Sequence, residues 1–266
     1  MSLEYGKIVS LNSPMMDTHC HLDFAEFDGV REQLLMDAAQ LTVKRILVPG
    51  VKAATWQDLI ALCQSHPALD FALGLHPYFL ADYQAEHMAL LQQLAEQYQP
   101  LAIGEVGLDA MVDVPMALQL NVLRQQIEIA KTAKLPLILH QRKTASSLLA
   151  ELKHFPYGGV LHAFSGSYEQ GMAFIDKGFK LGIGGVITYP RAAKTRASVA
   201  RFPLEALMLE TDGPDMPIAN QTTNVNSPLN LPFIFNALAE LRDEPPAQLA
   251  KGLWQNSQAV FGRGKI

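Results

Sequence analysis

Eight times along the chain a short apolar run gives way to a longer stretch whose apolar residues recur at helical spacing. The runs fall at 16–21, 45–50, 71–76, 101–107, 136–140, 159–162, 179–187 and 206–211. Strands joined by helix-length crossovers run parallel, because each helix carries the chain back to the end from which the next strand starts. Trp56, Leu59, Ile60 and Cys63 mark one helical face, and Leu90, Leu91, Leu94 and Tyr98 another. Gly178 reads as a helix C-cap, Pro136 as a stop before the fifth strand, and 245–261 as a further helix closing the far side. Eight such units fit a closed α/β barrel, (β/α)8, and 266 residues suit one domain over 16–266 with an N-terminal arm over 1–15. A doubly wound open sheet has the same periodicity and is the alternative.

Polar residues interrupt this apolar framework where the runs end. His19, His21, His76, Glu105, His140, His162 and Asp212 each close or just follow a run, and in a barrel that rim carries the active site. His66, His87 and His154 fall elsewhere and read as solvated surface. Residues two apart on a strand share a face, so His19 and His21 can present both imidazoles to one metal. The competing reading is a pair of histidines bonded to backbone carbonyls.

Glu105 ends an apolar run, and a carboxylate there is costly to bury without a cation. It reads as a bridge between two metals, against the alternative of a core acid paired with arginine. His140 and His162 suit the second metal, while Asp212 can ligate the first and act as general base. Four imidazoles and two carboxylates without thiolate suit two divalent ions, with Zn, Mn, Mg, Fe and Co undistinguished.

The motifs Asp17-Thr18-His19-Cys20-His21-Leu22-Asp23, Gly74-Leu75-His76-Pro77, Gly104-Glu105-Val106-Gly107-Leu108-Asp109, His162-Ala163-Phe164-Ser165-Gly166 and Glu210-Thr211-Asp212-Gly213-Pro214 resemble the TatD-related deoxyribonucleases. Pro214-Asp215-Met216-Pro217 resembles the YjjV-like branch. The resemblance runs from about Met16 to the C-terminus. It implies an amidohydrolase-like TIM barrel, divalent metals, hydrolysis of DNA phosphodiesters, and metal roles for His19, His21, Glu105, His140, His162 and Asp212. It places His76 beside the scissile phosphate. The chain departs from the family in having Ala110 after Gly-Leu-Asp and no Lys or Arg between Phe202 and Leu241, although Asn226-Ser227-Pro228 resembles a late family motif.

Charge then narrows the substrate. A net charge of -5 excludes a protein that coats duplex through a general positive field. Phosphate must be gripped locally, with Arg142 and Arg191 the leading cations, helped by Lys143, Lys194, Arg196 and Arg201; Tyr189 and Phe164 are candidates for stacking on a base. A strand end or short single strand of DNA is therefore the expected partner, cut exonucleolytically. A two-metal hydrolase of a small amide, lactone or aminoacyl ester is the alternative, and a non-catalytic barrel is a third, disfavoured because all six ligand positions are filled. Two cysteines, no signal sequence and no long apolar stretch lead us to expect a cytoplasmic enzyme with reduced thiols, no membrane contact and no obligate protein partner.

Overall fold

The computed structural model describes residues 13–262 except 222 and 224; most of the expected arm over 1–15 therefore lies outside the described residues. Eight parallel strands occur among the described residues: β1 (Met15–Asp17), β2 (Val43–Pro49), β3 (Leu69–Ala72), β4 (Ile103–Asp109), β5 (Leu137–Arg142), β6 (Gly159–Leu161), β7 (Phe179–Ile183) and β8 (Leu207–Leu209). They pair in chain order, β1 to β3 and β4 to β8. Two seams close the ring: the Gly104 N–H donates to the Leu73 carbonyl (2.9 Å) between β3 and β4, and the Thr18 N–H donates to the Leu209 carbonyl (3.0 Å) between β8 and β1. The result is the (β/α)8 barrel, with helices between the strands such as α1 (Arg31–Gln40), α2 (Trp56–Ser65), α3 (Glu86–Tyr98) and α4 (Met116–Ala133).

The barrel interior divides along its axis. Met16, Leu47, Ile138, Val160 and Met208 fill the lower part and form one cluster with Phe261, the last residue of the C-terminal helix (Pro246–Phe261). Arg45 on β2 ties this helix down by donating to the Gln258 side chain (3.1 Å) and the Phe261 carbonyl (3.3 Å), while Asp70 on β3 neutralises the guanidinium at 2.6 Å. The expected closing helix thus plugs the end remote from the polar residues. The larger apolar cluster lies between strands and outer helices, where Trp56, Leu59 and Cys63 of α2 are fully buried. No helix among the described residues is long and apolar enough to cross a membrane.

Several strands end differently from their apolar runs. β1 stops at Asp17, so His19 and His21 occupy the following loop rather than alternating strand positions. β7 stops at Ile183, and Gly185–Thr188 forms a 3-10 turn. β4 and β5 both run further than their apolar runs, which leaves Glu105 and His140 within strands rather than at their ends.

Candidate metal centre

β4 is buried along its whole length, although it carries two acids. Its pairing with β5 slips from Ile103↔Leu137 to Val106↔Leu139, so three residues on β4 span two on β5. The extra residue is a bulge around Glu105, whose N–H bonds the Gly50 carbonyl (2.9 Å) instead of β5. Glycine is required on either side. A Cβ on Gly104 would lie 2.5 Å from the Ile138 Cβ, and one on Gly107, at φ 157°, would lie 1.9 Å from the His140 carbonyl oxygen. The two glycines let β5 press in, which sets His140 beside Glu105.

The His19 and His21 loop is held from the opposite end of the chain. The Asp212 N–H donates to the His19 carbonyl (2.8 Å), and the His21 N–H to the Gly213 carbonyl (2.7 Å). Asp17, fully buried at the end of β1, accepts from the Thr211 N–H (3.0 Å) and hydroxyl (2.5 Å) and from the His19 N–H (3.3 Å). Asn226 staples the loop after β8 by donating to the carbonyls of Thr211 (2.7 Å), Asp215 (2.8 Å) and Met216 (3.1 Å).

These supports bring all six expected ligands together in two groups that share Glu105. Glu105 Oε2 lies 3.2 Å from His19 Nε2 and 3.6 Å from His21 Nε2; the two imidazole nitrogens are 3.3 Å apart. Asp212 Oδ1 completes this group at 3.5 Å from His19 Nε2 and 3.8 Å from His21 Nε2. On the other side, Glu105 Oε1 lies 2.7 Å from His162 Nε2 and 3.1 Å from His140 Nδ1, with 3.3 Å between those nitrogens. Ligands about 2.1 Å from a tetrahedral metal sit roughly 3.4 Å from one another; the first group, at 3.2 to 3.8 Å, brackets that spacing, and the second, at 2.7 to 3.3 Å, is drawn in slightly closer.

Charge points the same way. Among the described residues no Lys or Arg pairs with Glu105, Asp109, Glu210 or Asp212, all of them buried. Burial opposes the charge on Glu105, but the imidazoles of His162, His76 and His19 hold its carboxyl well below the usual range. Burial pushes Asp212 up to about 7, with His162 pulling the other way. Burial also drives His19 well below the ordinary imidazole range, favouring the neutral form that can ligate. Acids in a dry interior with only imidazoles to offset them are costly, and dications are a compensation this donor set accepts.

His76 reaches the centre too, with Nε2 3.3 Å from Glu105 Oε1. Its Nδ1 accepts the Tyr78 N–H at 3.0 Å, so the ring proton belongs on Nε2. A protonated nitrogen has no lone pair for a metal, and His76 therefore faces the centre as a donor.

The candidate cations behave differently. Arg142 and Arg191 are exposed, and among the described residues neither forms an ion pair with the cluster; Arg191 lies over the Tyr189 ring at 4.8 Å. Arg196 bonds the Ile187 carbonyl and Arg201 lies 4.1 Å over Tyr168, so both are engaged in the fold. Phe164 is buried edge-on against Phe202 and cannot stack on a base. The peripheral histidines stay peripheral: His66 pairs with Glu32 (3.2 Å) and His87 accepts the Gln84 N–H (3.3 Å).

Three polar residues of the centre went unassigned in the sequence: Asp109, 3.0 Å from His140 Nε2; Glu210, which accepts the Ala163 N–H (2.5 Å) beside His162; and Asp17. All sit inside the motifs quoted above, and each is an acid in an otherwise apolar context, the signal that had marked Glu105.

Residues 16–262 match the profile of the family described as TatD related DNase. The chain is 42% identical over 251 residues to the uncharacterized metal-dependent hydrolase YjjV of Escherichia coli (strain K12), covering 92% of this chain and 97% of that one. It is 30% identical over 260 residues to a 3'-5' ssDNA/RNA exonuclease TatD of Erwinia billingiae (strain Eb661), covering 93% and 98%. The crystal structure of the Escherichia coli YjjV protein superposes with a TM-score of 0.91 at 41% identity, covering 94% of this chain and 98% of that one.

Proposed function

The chain belongs to the TatD-related DNase family, a family of metal-dependent hydrolases, and on that premise we propose that it is a two-metal exonuclease acting on single-stranded or frayed DNA ends. The observation that carries the two-metal reading is Glu105, whose Oε2 faces His19 and His21 while its Oε1 faces His140 and His162. The TatD exonucleases among its relatives supply the substrate class.

His19 and His21 through Nε2, Asp212 through Oδ1 and Glu105 through Oε2 would hold one divalent ion; His140 through Nδ1, His162 through Nε2 and Glu105 through Oε1 would hold the other. Divalent ions there supply Lewis acidity toward a phosphoryl oxygen and lower the pKa of water toward neutrality. Asp212 would be the general base, with the carboxylate oxygen not committed to the ion free to take a proton from water. His76 donates its Nε2 proton to a phosphoryl oxygen, held in that tautomer by the Tyr78 N–H. Arg142 and Arg191 grip phosphates further along the strand, and Tyr189 offers its ring for stacking beneath Arg191.

A panel of single-stranded DNA, duplex DNA, RNA, aminoacyl-tRNA, a simple phosphodiester and a neutral ester, each with Zn, Mn, Mg, Fe or Co, tests this reading. Single-stranded DNA is expected to lead the panel, and His140→Ala or Asp212→Asn to abolish its hydrolysis in a folded protein. Preferred turnover of the aminoacyl or neutral ester overturns the nuclease reading in favour of the small-ester alternative.

A further inference from the structure

His140 differs from the other imidazoles of the centre. His19, His21, His76 and His162 all approach Glu105 with Nε2, whereas His140 approaches with Nδ1, at 3.1 Å from Oε1. Its Nε2 points away, to Asp109 Oδ2 at 3.0 Å. Asp109 is 3% exposed and has no Lys or Arg partner among the described residues.

The carboxylate is itself held at both oxygens. Its Oδ1 accepts the Met111 N–H at 2.7 Å. Its backbone is clamped by Gln119 of α4, whose Oε1 accepts the Asp109 N–H (2.8 Å) and whose Nε2 donates to the carbonyls of Asp109 and Val114 (both 2.9 Å). Gln119 is 1% exposed, so this chain of bonds runs through the dry interface between strand and helix.

We propose that Asp109 is a positioning residue that selects the tautomer of His140, and so decides that Nδ1 is the nitrogen offered to the metal centre. The proposal rests on the two-metal reading of the site. A neutral imidazole carries one proton and one lone pair, and a carboxylate can only accept. With Asp109 Oδ2 at hydrogen-bond distance, the proton is held on Nε2 and the lone pair on Nδ1 faces inward, beside Glu105 and His162. The carboxylate also raises the basicity of the ring it accepts from, which strengthens ligation. His162 has a similar neighbour, but Glu210 Oε1 stands 3.8 Å from its Nδ1, beyond a hydrogen bond. Asp109 thus acts on one ligand of one site and leaves the His19, His21 and Asp212 group untouched.

The test uses full-length protein with 15N-labelled histidine, and zinc as the probe. Long-range 1H–15N correlation spectra of the zinc-loaded wild type are expected to show His140 ligated through Nδ1 and protonated at Nε2. In Asp109→Ala, calorimetric titration is expected to show one zinc equivalent weakened by about 10–100-fold with the other unchanged. Asp109→Asn guards against a folding failure: its single amide oxygen can serve either Met111 or His140 but not both, so the same equivalent weakens by a smaller factor.

Ligation of His140 through Nε2 in the wild type, or equal weakening of both equivalents in the folded Asn variant, overturns the proposal. Should the wild type bind fewer than two equivalents, the two-metal reading falls separately. Asp109 is then judged on the metal-free protein: a His140 proton on Nε2 that leaves it in the variants supports the assignment, and an unchanged pattern overturns it.

Discussion

Replacing Glu105 by Gln separates the two-metal arrangement from any other use of the cluster. Each ion that binds the folded state alone stabilises it by RT ln(1 + [L]/Kd), about 2.7 kcal/mol at 100 times Kd. Unfolding entropy is about 2.1 cal/mol/K per residue, so a chain of 266 residues has about 0.56 kcal/mol/K. One ion then raises Tm by about 5 °C and two by about 10 °C. Glu105 supplies an oxygen and negative charge to both groups, whereas Asp212 comes within 4 Å of His19 and His21 and reaches His162 only at longer range. Differential scanning calorimetry of chelator-treated protein, with and without Zn or Mn at the concentration giving the full wild-type shift, is expected to show about 10 °C for the wild type, about 5 °C for Asp212→Asn and under about 2 °C for Glu105→Gln. A Glu105→Gln protein that keeps most of the wild-type shift refutes the bridge, because neither group then needs the shared carboxylate.

Phe261→Ala opens the plug under the barrel at a cost of about 3–5 kcal/mol, which lowers Tm by about 5–9 °C on the same entropy while leaving the metal-induced shift at its wild-type size. Asn226→Ala strands buried carbonyls of the loop that carries Asp212; a loss of about 1–3 kcal/mol in a melt, with a fall in kcat larger than any rise in KM, is the expected result. With Arg142 and Arg191 as the two side-chain cations that grip phosphate, binding of a single-stranded oligonucleotide weakens about sevenfold between 50 and 200 mM salt, at about 0.7 counterions per contact. Arg191→Ala reduces that to about threefold in the same binding series, and a slope unchanged by the substitution removes Arg191 from the substrate path.

Much of the centre was legible because its residues violate their surroundings. Histidines and acids closing Val-, Ile- and Leu-rich runs have no structural excuse, and His19, His21, Glu105, His140, His162 and Asp212 do converge. What the one-dimensional pattern hid was the backbone path that achieves it. The strand period suggested that His19 and His21 share a pleated face, but β1 ends at Asp17 and the loop is shaped by Asp212 and Gly213, more than 190 residues away. Glu105 points inward through a bulge that depends on how closely β5 approaches Gly104 and Gly107, a tertiary fact. Phe164 looked available to a base, and only the packing of Phe202 shows that it is not. Asp109 and Glu210 lay in plain view, yet an acid next to a ligand cannot be told from a ligand until distances exist.

The division of the barrel along its axis explains how one interior serves stability and chemistry together. The lower part is apolar and sealed by Phe261, so the ionisable groups above it sit on a floor of low polarisability, where Coulomb interactions are stronger than in water. The same floor makes bare acids expensive, and no nearby Lys or Arg relieves Glu105 or Asp212. An arginine there would neutralise the cluster permanently and occupy the space a phosphate must enter. The proposed dications would neutralise it while leaving a face open to substrate, and a rim backed by that charge needs no large positive patch. The net charge of -5 and the stretch without Lys or Arg from Phe202 to Leu241 fit an attractive charge placed inside the centre rather than on the surface.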